Sequence, residues 1–164
     1  MMRIEESVHF KGDVTFTGGV TLPDGCVDKE NVEAGAGLEA TKQEHQHRAV
    51  YAQESDTTAA AEDRVLHVVK GAAGTLQDFK AGCVVANVGA AVVSVDLHKN
   101  GVTVLTAAID IDSGDAAYAL VAGVIDSADV VADDVLEVVV TVAAGGGTLG
   151  KGVFAYLDVH EDES

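Results

Sequence analysis

Two short groups of side chains in the 164-residue sequence have the spacing that metal chemistry uses. His45 and His47 are separated by one residue, so in an extended strand both imidazoles project from the same face. Three copies of this pair around a threefold axis could surround a transition metal octahedrally. Paired surface histidines are also common without a metal, and solvated or interface histidines are the interpretation that we favour.

The second group is acidic and comprises Asp110, Asp112 and Asp115 in the run IDIDSGD. This run resembles the opening of a calcium-binding loop. An EF-hand loop requires a glutamate at its twelfth position, which here is Val121, and no pair of helices is predicted around it. Because Asp, Ser and Gly all favour turns, a turn is the favoured interpretation, and a calcium site of another type is the alternative.

The other reactive side chains form no catalytic motif. His67 and His98 lie in predicted strands, where surface or hydrogen-bonded histidines are expected rather than general bases. Glycines 145–147 precede a predicted strand and not a helix, which argues against a phosphate-binding loop. Cys26 and Cys83 lack the spacing of a zinc site and are expected to be free thiols. We therefore expect neither a cofactor nor an enzymatic activity.

The charge of the chain limits the partners that it can have. The net charge is −17, from 27 acidic and 10 basic side chains, so phosphate backbones and anionic membrane surfaces would be repelled. No stretch of about 18 apolar residues is present, and the first residues lack the pattern of a secretory signal. We expect a protein made in a cytoplasm that binds neither nucleic acid nor membrane.

Short runs rich in valine dominate the C-terminal part, residues 64–164. They recur at nearly regular spacing, with Gly, Asn or Asp between them. This pattern predicts an all-β domain, an antiparallel β-sandwich or jelly roll. The predicted strands are 64–70, 75–79, 82–88, 91–98, 102–111, 117–124, 134–143 and 151–159.

Local patterns add detail to three of these strands. Asn100-Gly101 supplies the two positive φ angles of a type I′ hairpin between 91–98 and 102–111. Alternation within the last two strands separates an apolar face from a more polar one. The predicted core-facing residues are Leu136, Val138, Val140 and Val142 in the first strand and Val153, Ala155, Leu157 and Val159 in the second.

Residues 1–63 have a different character and are predicted to form an extended arm. Residues 8–25 divide into three six-residue units, each with an alternating apolar pair and a break containing glycine. Three such short strands cannot bury their apolar face alone, so we expect the arm to pack on other chains; an ordinary three-stranded meander is the alternative. Residues 26–63 are predicted to be a connector. The predicted contact residues are Val8, Phe10, Val14, Phe16, Val20 and Leu22.

Taken together, these features resemble structural proteins of tailed bacteriophages, and most closely the capsid decoration, cement or head-fibre proteins. The resemblance is carried by VHFKGDVTFTGGVTLPDG, by GLEATKQEHQH, and by VDLHKNGVTVLTAAIDI and DDVLEVVVTV in the predicted sandwich. It implies a homotrimer that stands on the virion surface and binds the major capsid protein through the arm. Tail-fibre and baseplate proteins share this style, so an adhesin or carbohydrate-binding domain is the alternative.

Overall fold

The computed structural model describes residues 45–162, which form two antiparallel five-stranded sheets packed as a β-sandwich. These residues contain no helix, and so none with the length and apolar character needed to cross a membrane. The predicted all-β sandwich is confirmed. The strands are β1 (His45–Ala52), β2 (Glu62–Val68), β3 (Ala73–Val85), β4 (Val92–Lys99), β5 (Val102–Thr103), β6 (Ile109–Ile111), β7 (Val121–Ala122), β8 (Asp129–Val131), β9 (Val135–Ala143) and β10 (Lys151–Glu161).

The pairing of the strands is nested, so that the first pairs with the last. β1 pairs with β10, β2 with β9, β3 with β8, and β4 with β5 and β6, all antiparallel. The pairs β10–β3 and β9–β4 join these units into the two sheets, and β7 adds a short strand to β3. A long hairpin rolled upon itself gives this order, which is the jelly-roll arrangement.

Strand β1 lies in a segment that the sequence had assigned to the connector. It pairs with β10 along its whole length, from His45 opposite Glu161 to Ala52 opposite Phe154. Residues 45–52 therefore belong to the sandwich, ahead of the predicted boundary at residue 64. The strand was missed because only its end is apolar: Tyr51 is 1% exposed, whereas most of the other side chains of β1 face solvent.

The core fills the space between the two sheets with aliphatic side chains. In β9 the predicted inward residues are buried, with Val142 partly buried against the same cluster, and in β10 all four are buried. The predicted faces of both strands are therefore confirmed. Among the described residues Phe79 is the only phenylalanine in this cluster, so alternation of Val, Leu and Ile, rather than aromatic packing, supplies most of the buried area.

The predicted Asn-Gly hairpin is also confirmed. Asn100 and Gly101 have φ angles of 51° and 80°, and the flanking Lys99 and Val102 pair directly. The Asn100 side chain also makes two hydrogen bonds. Its Nδ2 donates to Asp134 Oδ1 at 2.6 Å, and its Oδ1 accepts the N–H of Val135 at 2.9 Å. The turn is thereby tied to the start of β9.

Four predicted strands are merged, interrupted or shortened in the structure. Predicted strands 75–79 and 82–88 are one strand, β3, in which Gly82 permits close approach of a loop: an added Cβ would overlap the carbonyl oxygen of Ala119. Predicted strand 102–111 is interrupted between β5 and β6, and only two residues of 117–124 are strand. β8, which none of the predicted strands covers, forms where Val130 is buried against the core.

Candidate functional site

The predicted histidine pair lies at one lateral edge of the sandwich, where β1 faces β2. His45 and His47 have ring centroids 6.2 Å apart, and the ring of His67 from β2 lies 5.2 Å from that of His47. The pair therefore shares one side of its strand, as predicted. A shallow pocket of about 240 Å³ opens beside them and is lined by His45, His47, Lys70, Gly71, Glu161 and Asp162.

Glu161 organises this pocket. Its Oε1 is hydrogen-bonded to His67 Nε2, and its Oε2 accepts the N–H groups of Lys70 at 2.8 Å and Gly71 at 2.6 Å. Burial would raise the pKa of Glu161, but the hydrogen bonds from His67, Gly71 and Lys70 outweigh burial and lower it below its ordinary value. Through these hydrogen bonds the carboxylate holds the end of β10 against the β2–β3 turn.

No metal centre is assembled among residues 45–162, where no group of three or more His, Cys, Asp or Glu side chains has the geometry to hold a metal ion. The acidic group illustrates the reason. Asp112 Oδ1 accepts the N–H of Gly114 at 2.6 Å, and Asp115 Oδ2 accepts the N–H of Asp112 at 3.0 Å. Asp110 instead accepts the hydroxyl of Ser94. Two of these carboxylates therefore support their own turn, and the third bonds to β4.

A polar network joins β1 to β2 at the other end of the same edge. Tyr51 donates its hydroxyl to Glu62 Oε2 at 2.8 Å and accepts Gln53 Nε2 at 2.8 Å. Gln53 also bonds both backbone groups of Ala60. Burial, followed by the bond to Glu62, raises the pKa of Tyr51 to about 12, and the Arg64 guanidinium lies 5.6 Å from the ring centroid. Side chains of both sheets therefore bridge this edge.

The remaining candidates occupy structural positions. His98 Nε2 lies 3.1 Å from Asp96 Oδ2, so it is partnered within its own strand. Cys83 is a buried free thiol whose pKa is raised to about 11, mainly by burial and further by Asp115. Cys26 and the predicted arm contacts Val8, Phe10, Val14, Phe16, Val20 and Leu22 lie outside the described residues.

The opposite lateral edge, where β6 faces β7, carries a groove that sequence reasoning did not identify. It has a volume of about 300 Å³ and is lined mainly by small or apolar residues: Thr106, Ala107, Ala108, Ile109, Asp110, Val121, Ala122, Gly123 and Val124. The run AAI in the sequence and the run VAGV lie more than ten residues apart, and only the sheet topology brings them together. A local motif could not have revealed the groove.

Large apolar side chains are exposed along and around this edge. Tyr118 is 70% exposed and has a φ of 62°, a left-handed conformation that is uncommon for a bulky residue. Its N–H donates to the carbonyl of Cys83 at 2.8 Å, which holds the residue in place. Leu120 and Val124 follow in the same segment, at 51% and 68% exposure. Exposed apolar residues grouped in this way are typical of contact surfaces.

No protein-family model matches the chain, and a search of the curated proteins gave no significant match.

Proposed function

We propose that the protein is a non-catalytic structural component of a virion, which binds and reinforces a phage capsid as a homotrimer. The observation that carries this proposal is the contrast between its polar and apolar groups. The partnered acids and histidines around the pocket serve hydrogen bonds within the fold, whereas large apolar side chains such as Tyr118 and Val124 are exposed to solvent. Such a surface suits contact with another protein better than catalysis.

The architecture is compatible with this role. Jelly-roll sandwiches occur in viral capsid proteins and in lectins, among others, and a fold alone does not assign a function. The charge of −17 adds an independent argument, because it disfavours nucleic acid and anionic membranes as partners. A protein partner with a basic surface, such as a major capsid protein, remains the best electrostatic match.

The proposal assigns trimer formation and shell contact to the N-terminal repeat. Its alternating apolar pairs, repeated every six residues, are too few to form a core of their own. Three arms presenting the same pairs would bury them against one another or against the shell. Threefold repetition of a modest contact would then raise the apparent affinity through effective concentration.

Light scattering on the purified full chain tests the proposal directly. We expect a mass of three subunits, against 16.8 kDa for one chain. Deletion of residues 1–25 should abolish the trimer while far-UV circular dichroism retains the signal of a β-sandwich. The matched control is the double substitution Val50→Ser and Val65→Ser, which removes exposed apolar side chains from the sandwich and leaves the repeat intact. A monomeric full chain, or a trimer that survives the deletion, would contradict the assignment.

A second function deserves a test because of one residue. Sugar-binding sites commonly stack a ring on an exposed aromatic side chain, and Tyr118 is such a side chain. A tail-fibre or baseplate adhesin with a carbohydrate site is therefore the alternative proposal. Saturable binding on a glycan array that is lost in Tyr118→Ser would favour the adhesin, whereas an array without hits would favour the capsid protein.

A further inference from the structure

The groove between β6 and β7 lies between two strands that are each paired on one side. β6 pairs with β4, and β7 pairs with β3, so each is the outermost strand of its sheet at this edge. The two sheets are joined at one end of the groove, where Thr106 N–H donates to the carbonyl of Val124 at 2.8 Å, and at the far end of β6, where Asn87 Nδ2 donates to the carbonyl of Ile111 at 2.8 Å. Between these two points the groove is open.

Backbone groups along one wall of the groove are available to a ligand. Ala107 and Ala108 lie outside any strand, and within the described part of the chain their N–H groups make no hydrogen bond. Exposed strand edges and unpaired amides bind extended peptides, because the peptide can continue the hydrogen-bond ladder. The walls therefore favour a partner in an extended conformation over a helix.

The side chains around the groove complement this backbone. Ala107, Ala108 and Ala122 are small and leave room for larger apolar side chains of a partner. Val124, at 68% exposure, forms an apolar rim that a bound strand would cover. Because alternate residues of a strand point to opposite sides, one set of partner side chains would enter the groove and the other would face outward.

The charge of this region indicates which side chains of a bound partner strand would face outward. Between Lys99 and Lys151 the sequence contains no lysine or arginine. One acidic residue, Asp110, lines the groove itself, and Asp126 follows its closed end. The acidic side chains of this stretch are Asp110, Asp112, Asp115, Asp126, Asp129, Asp133, Asp134 and Glu137. Lysines from other elements lie nearby: Lys70 pairs with Asp133, Lys99 contacts the carbonyl of Asp129, and Lys80 lies opposite Ala122 in the β3–β7 register. The acidic side chains outnumber these cations, so the region favours a partner rich in lysine or arginine.

We propose that the groove between β6 and β7 binds an extended, basic segment of a partner protein by strand addition, with apolar residues inward and Lys or Arg outward. The inference rests on the proposed structural function, which it deepens by naming the chemistry of the segment that the partner presents. It does not depend on the oligomeric state, because every group that forms the groove belongs to one chain.

The test uses ¹⁵N-labelled full chain and a blocked hexapeptide of alternating lysine and valine. We expect amide shifts confined to residues 106–110 and 118–124, and no shifts with the alternating glutamate–valine peptide. Val124→Arg should weaken binding about tenfold, because it places a like charge at the rim. Val50→Arg is the matched control: Val50 is 69% exposed but lies on β1 at the opposite edge, so affinity should stay unchanged.

Other results would overturn the inference. Shifts spread over the whole acidic surface, or equal weakening by the two arginine variants, would reduce the effect to general electrostatic attraction. An absence of shifts at millimolar peptide would exclude the groove as a peptide site. The outcome is separable from that of the trimer test: a monomer that binds the peptide contradicts only the trimer, and a trimer that does not bind it contradicts only the groove.

Discussion

Polar side chains cross from one sheet to the other at the edge where β1 faces β2. At the edge where β6 faces β7, no hydrogen bond between side chains of the described residues joins the two sheets. At the first edge Tyr51 reaches Glu62, and Glu161 reaches His67. At the second edge, alanines and valines line an open groove. Side chains thus bridge the two sheets at the first edge, whereas the groove at the second edge is lined by unpaired backbone groups and small or apolar side chains.

This difference separates groups that hold the fold from groups that are free for a partner. A buried carboxylate with three donors is costly to disturb, because each donor left without it loses its hydrogen bond in a place that water hardly reaches. An exposed valine at an open edge makes few contacts within the fold, so its substitution removes little stabilisation. Substitutions at the two edges should therefore affect stability to very different extents, which makes the comparison testable.

The largest effect is expected at Glu161. Glu161→Ala removes the acceptor of His67 and of the Lys70 and Gly71 N–H groups, and we expect the free energy of unfolding to fall by about 3 kcal/mol. Urea unfolding followed by circular dichroism measures this. Asp162→Asn, at the exposed neighbouring position, is the control and should change stability little. Equal losses would mean that the carboxylate network is unimportant.

Glu161 also predicts a dependence on pH. Because its folded pKa lies below the ordinary value of 4.5, the ionised carboxylate stabilises the fold above pH 4.5. This stabilisation is lost as the pH falls through the folded pKa. In Glu161→Gln the stability should therefore fall less steeply below pH 4.5 than in the wild type. A parallel pH profile in the two proteins would contradict the prediction.

A smaller effect is expected from one substitution made at each edge. Tyr51→Phe removes the hydroxyl that joins Glu62 and Gln53 but keeps the buried ring, and we expect a loss of about 1–2 kcal/mol in urea unfolding. Tyr118→Phe makes the same chemical change at the open edge, where the side chain is 70% exposed, and should be neutral. If both variants behaved alike, the two edges would not differ as described.

The same tyrosine makes a prediction at high pH. Its folded pKa of about 12 exceeds the ordinary value of 10.0, so its contribution to stability is fully present below pH 10 and is lost as the pH rises toward 12. Tyr51→Phe should abolish this component. Measurement of the urea midpoint between pH 9 and 11, where the loss begins, compares the two proteins.

An intermediate effect on stability is expected at the turn between β4 and β5. β5 is an outer strand, and the conformation of its turn is specified by the local sequence. Asn100→Gly keeps the positive φ angle but loses the bonds to Asp134 and Val135, at a cost of about 1 kcal/mol. Asn100→Ala should cost more, by up to about 1 kcal/mol, because alanine is strained at positive φ. Thermal unfolding ranks the variants, and the opposite order would refute the explanation.

The smallest effect is expected in the groove itself. Val124→Arg and Leu120→Ser alter exposed side chains, so each should change the free energy of unfolding by less than about 0.5 kcal/mol. Val138→Ala, in the middle of the core, is the contrast and should cost about 2 kcal/mol or more. A large loss at Val124 would show that the open edge supports the fold and is not reserved for a partner.

Sequence patterns predicted the features that depend on neighbouring residues. The Asn100-Gly101 turn and the inward faces of β9 and β10 follow from backbone preference and alternation, and the structure confirms both. β1 was missed because a polar edge strand has a weak alternation signal. β8 was missed because a single buried residue, Val130, decides its position.

The candidate sites were harder to predict, because they depend on residues distant in the chain. His45 and His47 share a face, as the spacing predicted, but the carboxylate of their pocket comes from Glu161, at the far end of the described chain. The acidic residues Asp112 and Asp115 turned out to bond their own loop. The groove combines two segments that only the rolled topology brings together.

The nested pairing of the strands has a consequence for how the protein is made. Of the described strands, β1 leaves the ribosome first, and its pairing partner β10 leaves last. The edge of β1 that pairs with β10 therefore stays unpaired until almost the entire domain has been synthesised. Because most contacts join distant parts of the chain, folding after release should take milliseconds to seconds, as in other β-rich domains. During that interval an unpaired β1 on one nascent chain is open to the β10 of a neighbour, so exchange of strands between copies is a hazard of crowded synthesis.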